Sequence, residues 1–223
     1  MDWTAFQVSL ELALWTTAIL MPLGIGVGRW LSLHRFRGRG FVDAAIALPL
    51  VLPPTVLGYY LLVAFSGDQP IGQFWSALTG SGLSFNFAGI VLASILFNLP
   101  FAILPVQRAF ETVPGHLREA AWCSGLSAWR TFVRIELPLV WPGVVTAFVL
   151  TFMHTLGEFG VVLMVGGAID GETKTIAIAI YDRVQAFDDE AAGAMSLLLL
   201  LTSFVTIALI YGLAGKGRNV GVR

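Results

Sequence analysis

The chain has 223 residues, 57% of them hydrophobic and 12% charged, with a mean hydropathy of +0.80. A soluble domain carries about 25% charged residues, so this composition excludes an ordinary soluble fold and points to a membrane protein. The formal charge of −1 gives no handle for nucleic acid, and the single cysteine, Cys123, excludes a disulfide framework and a CxxC metal or redox motif.

Crossing a bilayer core takes about 20 largely apolar helical residues. Five stretches reach that length, at roughly 9–31, 43–65, 86–108, 139–164 and 191–213, within one domain spanning 1–223. Ahead of the first, Met1-Asp2-Trp3 lacks the basic region of a secretory signal. The span ends in Arg29-Trp30 and a basic cluster, not in a small-residue cleavage site, and is expected to be a retained anchor. Gly24, Gly26 and Gly28 lie inside an apolar helix with no strand before them, so they are no dinucleotide fingerprint. Gly24 and Gly28 read instead as a small-residue packing face.

In the second stretch, Pro53-Pro54 removes two backbone donors and forces a bend. Freed carbonyls are tolerated only where they are buried in protein or line a cavity. The bend is then either a structural kink or part of a gate with Thr55 on the pathway. Residues 67–85, rich in Gly and Ser, read as a loop with a short helix around Ile71–Leu78. Asn98, Pro100 and Pro105 raise the same pair of readings for the third stretch.

The loop 109–138 has the clearest local syntax. Pro114 suits a first helical turn, residues 116–124 follow without a breaker, and Gly125 supplies the left-handed conformation that ends helices. Ser127 is placed to cap a second helix, which runs to Leu137-Pro138 at the membrane surface. Ala120 and Ala121 keep one face of the first helix slim enough to seat in a partner's groove. Glu119 projects a charge that sets the register of that seat, and Cys123 reads as a small packing residue.

In the fourth stretch, His154 and Glu158 stand four apart on one helix face, and an ionisable group inside a membrane is a functional-site hypothesis by default. An intramembrane metal-dependent enzyme is the rival this pair suggests. The other histidines, His34 and His116, fall in the charged segments between the apolar stretches, so a metal would lack ligands. Residues 175–181, Thr-Ile-Ala-Ile-Ala-Ile-Tyr, are too few to cross. Their alternation allows a strand, but a short interfacial or re-entrant helix fits a helical membrane protein better. Gly215-Lys216-Gly217 fails the phosphate-loop pattern, so ATP is not expected to bind here.

Charge sets the expected orientation. Of the 13 Lys and Arg, only Lys174 and Arg183 fall on one side, which carries Asp68, Asp170, Glu172, Asp182, Asp188, Asp189 and Glu190. The remainder, Arg29, Arg35, Arg37, Arg39, Arg108, Arg118, Arg130, Arg134, Lys216, Arg218 and Arg223, gather on the other. By the positive-inside rule the amino terminus is outside, while the 109–138 loop and the carboxyl terminus are cytoplasmic.

Glu119-Ala120-Ala121, Gly125, Ile135 and Leu137-Pro138 match the pattern E-A-A-x3-G-x9-I-x-L-P at every fixed position. In this the chain resembles the permeases of ABC importers, whose EAA loop has this form. The run from Leu48 to Leu62, the stretch His154-Thr155-Leu156-Gly157-Glu158-Phe159-Gly160 and the segment Thr173–Ala186 are similar to the molybdate branch, with tungstate and sulfate permeases close by. At His154-Thr155 the chain departs from the Arg-Ala pair common in that branch.

The resemblance implies an all-α polytopic protein of the type I importer permease fold, with five core helices and a cytoplasmic coupling helix. Glu119, Ala120, Ala121, Gly125, Leu137 and Pro138 would engage the motor, and by their own chemistry Pro53, Pro54, Thr55, Asn98, Thr151, Thr155 and Glu158 are the candidates for the pathway or gate. Glu158 would orient the Gly157–Gly160 turn or pair across the permease interface more readily than touch a dianion. No catalytic residue, metal or cofactor is expected in the chain itself, with ATP and Mg on a partner. The implied assembly in the cytoplasmic (inner) membrane is a permease homodimer, two nucleotide-binding ATPase subunits and an extracytoplasmic oxyanion-binding protein. Sulfate or tungstate as cargo is the nearer alternative to molybdate. An ATP-independent channel would leave the docking loop without a purpose.

Overall fold

The computed structural model describes residues 1–216, and every regular element among them is helical. Arg218 and Arg223 of the expected carboxyl-terminal basic cluster, and Gly217 of the glycine-lysine triplet, lie outside the described residues.

Helix α1 spans Trp3–Leu33 and opens on Asp2, whose Oδ1 accepts the Ala5 N–H at 2.9 Å. It packs lengthwise on α5, Phe87–Glu111. Glycine permits that approach, since a Cβ on Gly24 would lie 2.7 Å from the Ala102 carbonyl oxygen and one on Gly28 2.9 Å from the Gln107 nitrogen. Two helices at this separation gain dispersion contacts along their whole length, the main attraction between helices in lipid.

The 43–65 stretch is not one rod. Helix α2, Arg39–Val51, and α3, Pro54–Phe65, meet at 110°. Leu52 is extended (ψ 135°), as the residue before a proline must be, and Pro53 continues that extension (ψ 133°). Helix α4, Pro70–Thr79, follows in the 67–85 loop, slightly longer than the sequence suggests.

Beyond α5 come α6, Gly115–Cys123, and α7, Ala128–Thr131, then a π turn at Phe132–Glu136 that runs directly into α8, Leu137–Leu156. The second loop helix and the fourth apolar stretch are thus one continuous helix, which stops at Leu156 instead of running to 164. Pro138 lacks an N–H and its ring crowds the preceding turn. The wider π turn, with the Leu137 N–H reaching back to Phe132, carries the helix past it. Helix α9, Gly160–Gly166, resumes after a break at 157–159.

Residues 176–185, Ile176–Gln185, form α10, which makes the strand alternative moot. Its first turn is tied to α1, the Ile176 N–H donating to Ser9 Oγ at 2.8 Å. Helix α11, Asp189–Lys216, closes the described chain. Among the described residues four helices have the length and apolarity to cross a bilayer, and the bent α2–α3 pair makes a fifth if it counts as one span. Leu197, Leu200, Phe204 and Leu209 leave α11 with an apolar surface that water would not tolerate and lipid would.

Candidate functional site

Two constellations stand out, one at the α6 loop and one at the α8–α9 break. Pro114 is extended (ψ 136°) and precedes α6 as its cap, one step earlier than the first-turn place its sequence suggests. At the other end Gly125 has φ +79°, which a Cβ would strain. Its N–H donates to the Trp122 carbonyl at 2.9 Å, and the Leu126 N–H to that of Ala121 at 3.0 Å. These bonds satisfy carbonyls a helix end leaves bare. Ser127 Oγ accepts the Arg130 N–H at 3.4 Å and starts α7.

The face that α6 turns to solvent carries Glu119, Ala120, Trp122 and Cys123. Ala121 does not share it. At 4% exposure it packs against its own chain, so its small size serves internal fit and leaves Ala120 alone as the slim outer alanine. Leu137 sits half-buried beside the cluster of Val106, Phe110, Val113, Val140, Val144 and Ala147, while Pro138 is exposed.

Glu136 is absent from the sequence-derived set, because it holds the free position of I-x-L-P. It is fully buried, and its carboxylate takes Arg29 Nε at 2.5 Å and Arg118 Nε at 2.6 Å. The available signal was a lone carboxylate between Ile135 and Leu137 in an otherwise apolar approach to α8.

At the second constellation a cleft of about 510 Å³ is lined by Pro54 and Thr55 of α3, His154 of α8, and Gly157, Glu158 and Gly160 of the break. Glu158 Oε2 accepts from Ser94 Oγ at 2.9 Å and from Asn98 Nδ2 at 3.2 Å, both on α5. Asn98 Oδ1 faces His154 Nδ1 at 2.9 Å. The two ionisable groups four residues apart are therefore joined through an amide on another helix. Rings of Phe97 and Phe101 flank the imidazole, at centroid distances of 5.1 and 4.3 Å.

Of the pathway candidates, Pro54, Thr55 and Glu158 meet at this cleft, Pro53 precedes them at the bend, and Asn98 stands behind as their tether. Thr151 and Thr155 do not join them. Both are wholly buried, and Thr155 Oγ1 donates back to the Thr151 carbonyl at 2.8 Å. Among the described residues no three of His, Cys, Asp and Glu cluster as a metal site would need.

A third, charged hollow at the opposite end from the α6 loop is lined by Asp2, Asp170, Lys174 and Arg183. Lys174 Nζ lies 3.1 Å from both Asp170 and Asp182. Hydrogen bonding to Asp182, then to Asp170, holds its ammonium above the ordinary lysine value.

A family model described as "binding-protein-dependent transport system inner membrane component" matches residues 21–216. Over 210 residues the chain is 43% identical to the molybdenum transport system permease protein ModB of Azotobacter vinelandii, covering 94% of this chain and 93% of that one. A probable sulfate transport system permease protein cysT of Chlorella vulgaris is 31% identical over 207 residues, covering 93% of this chain and 77% of its own. In three dimensions the chain superposes on a bacterial ABC transporter involved in the import of the acidic polysaccharide alginate. The TM-score is 0.78 at 17% identity, over 96% of this chain and 78% of that one, a likeness of fold alone.

Proposed function

The chain belongs to the family of binding-protein-dependent transport system inner membrane components, and from that premise we propose that it is the permease subunit of an ATP-driven molybdate importer. The observation that carries the cargo is 43% identity, across nearly the whole of both chains, to a molybdenum transport permease. The chain is a transport subunit and not an enzyme, and ATP hydrolysis belongs to a separate subunit.

The remaining assembly follows the same reading. Two copies enclose the route, two ATPase subunits carrying ATP and Mg seat on α6, and an extracytoplasmic binding protein docks at the opposite face. The exposed Glu119, Ala120, Trp122 and Cys123 support α6 as the coupling helix, since they form an unpartnered face on a rigidly capped element. The bent α2–α3 pair supports a gate at Pro53-Pro54, because its elbow opens onto the Thr55–Glu158 cleft. The basic residues gathered at the α6 end support an outside amino terminus and a cytoplasmic carboxyl terminus.

The cleft suits transient passage. Its lining offers hydroxyl, imidazole and backbone groups and the Glu158 carboxylate, whose Oε2 is engaged by Ser94 and Asn98, but no Lys or Arg, and a fixed cation there would trap a dianion. Tight recognition then rests with the binding protein. Sulfate is the second reading, favoured by the 31% identity to a sulfate permease.

The test is uptake of radiolabelled molybdate into vesicles holding this permease with its ATPase and binding protein, with tungstate and sulfate as competitors. ATP-dependent molybdate uptake resistant to excess sulfate is the expected result. Uptake that sulfate abolishes at equal concentration would overturn molybdate as the cargo.

A further inference from the structure

The carboxylate of Glu136 ties α6 to α1 and to the π turn at the foot of α8, two parts that already pack on one another. Its Oε1 takes Arg118 Nε of α6 at 2.6 Å, and its Oε2 takes Arg29 Nε of α1 at 2.5 Å. Glu136 itself closes the π turn that leads into α8. Among the described residues, Arg118–Glu136 is the one polar side-chain bond that leaves α6 for the helices behind it. Arg29 is held a second time, its guanidinium lying 5.1 Å above the Phe132 ring of the same π turn.

Both acid oxygens are used, and the acid is wholly inside the protein. Arg118 also keeps its Nη2 buried with no other partner. Parting either pair leaves the wholly buried Glu136 charge short of a partner, a cost above that of loosening an exposed ion pair, while Arg29, with 29% of its side chain exposed, keeps some contact with solvent. The three segments should therefore move as a unit or not at all. An exposed loop helix carried only on a flexible tether would instead absorb a push.

Resting on the reading of α6 as the coupling helix, we propose that Glu136 is the joint that transmits displacement of α6 to α1 and α8. Glu136 is thus a positioning residue for coupling, and it touches neither cargo nor nucleotide. The Arg29 end of the joint sits in the last turns of α1, whose Gly24–Gly28 face is pressed onto α5. Motion delivered there reaches the central helix pair without passing through the α6–α7 turn.

The experiment uses the complete importer in vesicles and measures ATP hydrolysed and molybdate transported in the same sample. Glu136→Gln and, separately, Arg118→Gln should still assemble with the ATPase and hydrolyse ATP. Cargo moved per ATP should fall about tenfold, as the loss of a charge-assisted bond allows. Arg118→Lys, which keeps a charge within reach of the acid, should recover part of that ratio. A merely structural role would lower the amount of folded importer and scale both activities together, leaving the ratio unchanged, and that result overturns the joint. Arg118 lies nearer the surface, with 13% of its side chain exposed, so it decides the matter should Glu136→Gln fail to insert. Glu119→Lys separates the two readings. If it uncouples the importer while both Gln variants do not, the joint alone falls. If Glu119→Lys leaves coupling intact, the reading of α6 falls.

Discussion

Asn98 ties Glu158 to His154, giving Nδ2 to the acid at 3.2 Å and facing the imidazole Nδ1 with Oδ1 at 2.9 Å. One amide on α5 thereby braces the end of α8 and the break that follows it. That break is where the helix has least of its own to hold it. Gly157 and Gly160 flank Glu158, and the acid's side chain replaces lost backbone order with bonds to a neighbouring helix. Replacing Asn98 by leucine, similar in size and without polar atoms, strips three bonds at once, the third being from Nδ2 to the Ser94 carbonyl. The expected loss is about 1–3 kcal/mol of stability, read as a lower melting temperature of the purified protein. An unchanged melting temperature would mean that the amide bears no load.

Thr55 and Thr155 separate two kinds of hydroxyl. Thr55 lines the cleft, whereas Thr155 is buried and bonded to its own helix. Thr55→Val should slow molybdate transport several-fold, in line with a single lost hydrogen bond of about 0.5–1.5 kcal/mol. Thr155→Val should leave the transport rate of folded protein unchanged. Equal effects in the two variants, measured as initial uptake rates, would place the route elsewhere.

The α1–α5 contact admits a steric test. Gly24→Val would drive a side chain into the Ala102 carbonyl, and overpacking of this kind costs about 1–3 kcal/mol. Gly26→Val, with open space around it, should be neutral. Thermal unfolding of the two variants side by side checks the pair.

Gly125 turns the chain between α6 and α7 at φ +79°. Gly125→Val forces a branched side chain into the left-handed region at about 1–2 kcal/mol, and it should abolish transport-coupled ATP hydrolysis while insertion proceeds. Glu119→Lys should do the same through charge instead of backbone. Normal cargo-stimulated hydrolysis in both variants would remove α6 from the coupling path.

Local rules made the helix, turn and helix around Gly125 legible, because proline, glycine and serine act within a few residues of themselves. They also made the elbow at Pro53 legible, though not its 110° angle, which depends on what α3 packs against. The α8–α9 break was only half legible, since Gly157–Gly160 reads as a turn but within a span expected unbroken from 139 to 164. Gly157 and Gly160 lie in an apolar run that composition alone reads as continuous, and the chain breaks there where α5 captures Glu158.

The sequence by itself determined the solvent, since its few charges and long apolar runs leave lipid as the medium. It also determined the elbow at Pro53 and the docking-loop motif that leads to the family, although Pro100 and Pro105 lie inside the unbroken α5. Tertiary structure decided which residues act together. Glu136 meets an arginine 107 residues away, and Asn98 meets Glu158 across 60. Ala121 turns inward while its neighbour Ala120 turns out. Those outcomes depend on the rotation of each helix about its axis, which is set by ridge-and-groove packing among all its neighbours and leaves no mark in the spacing of one segment.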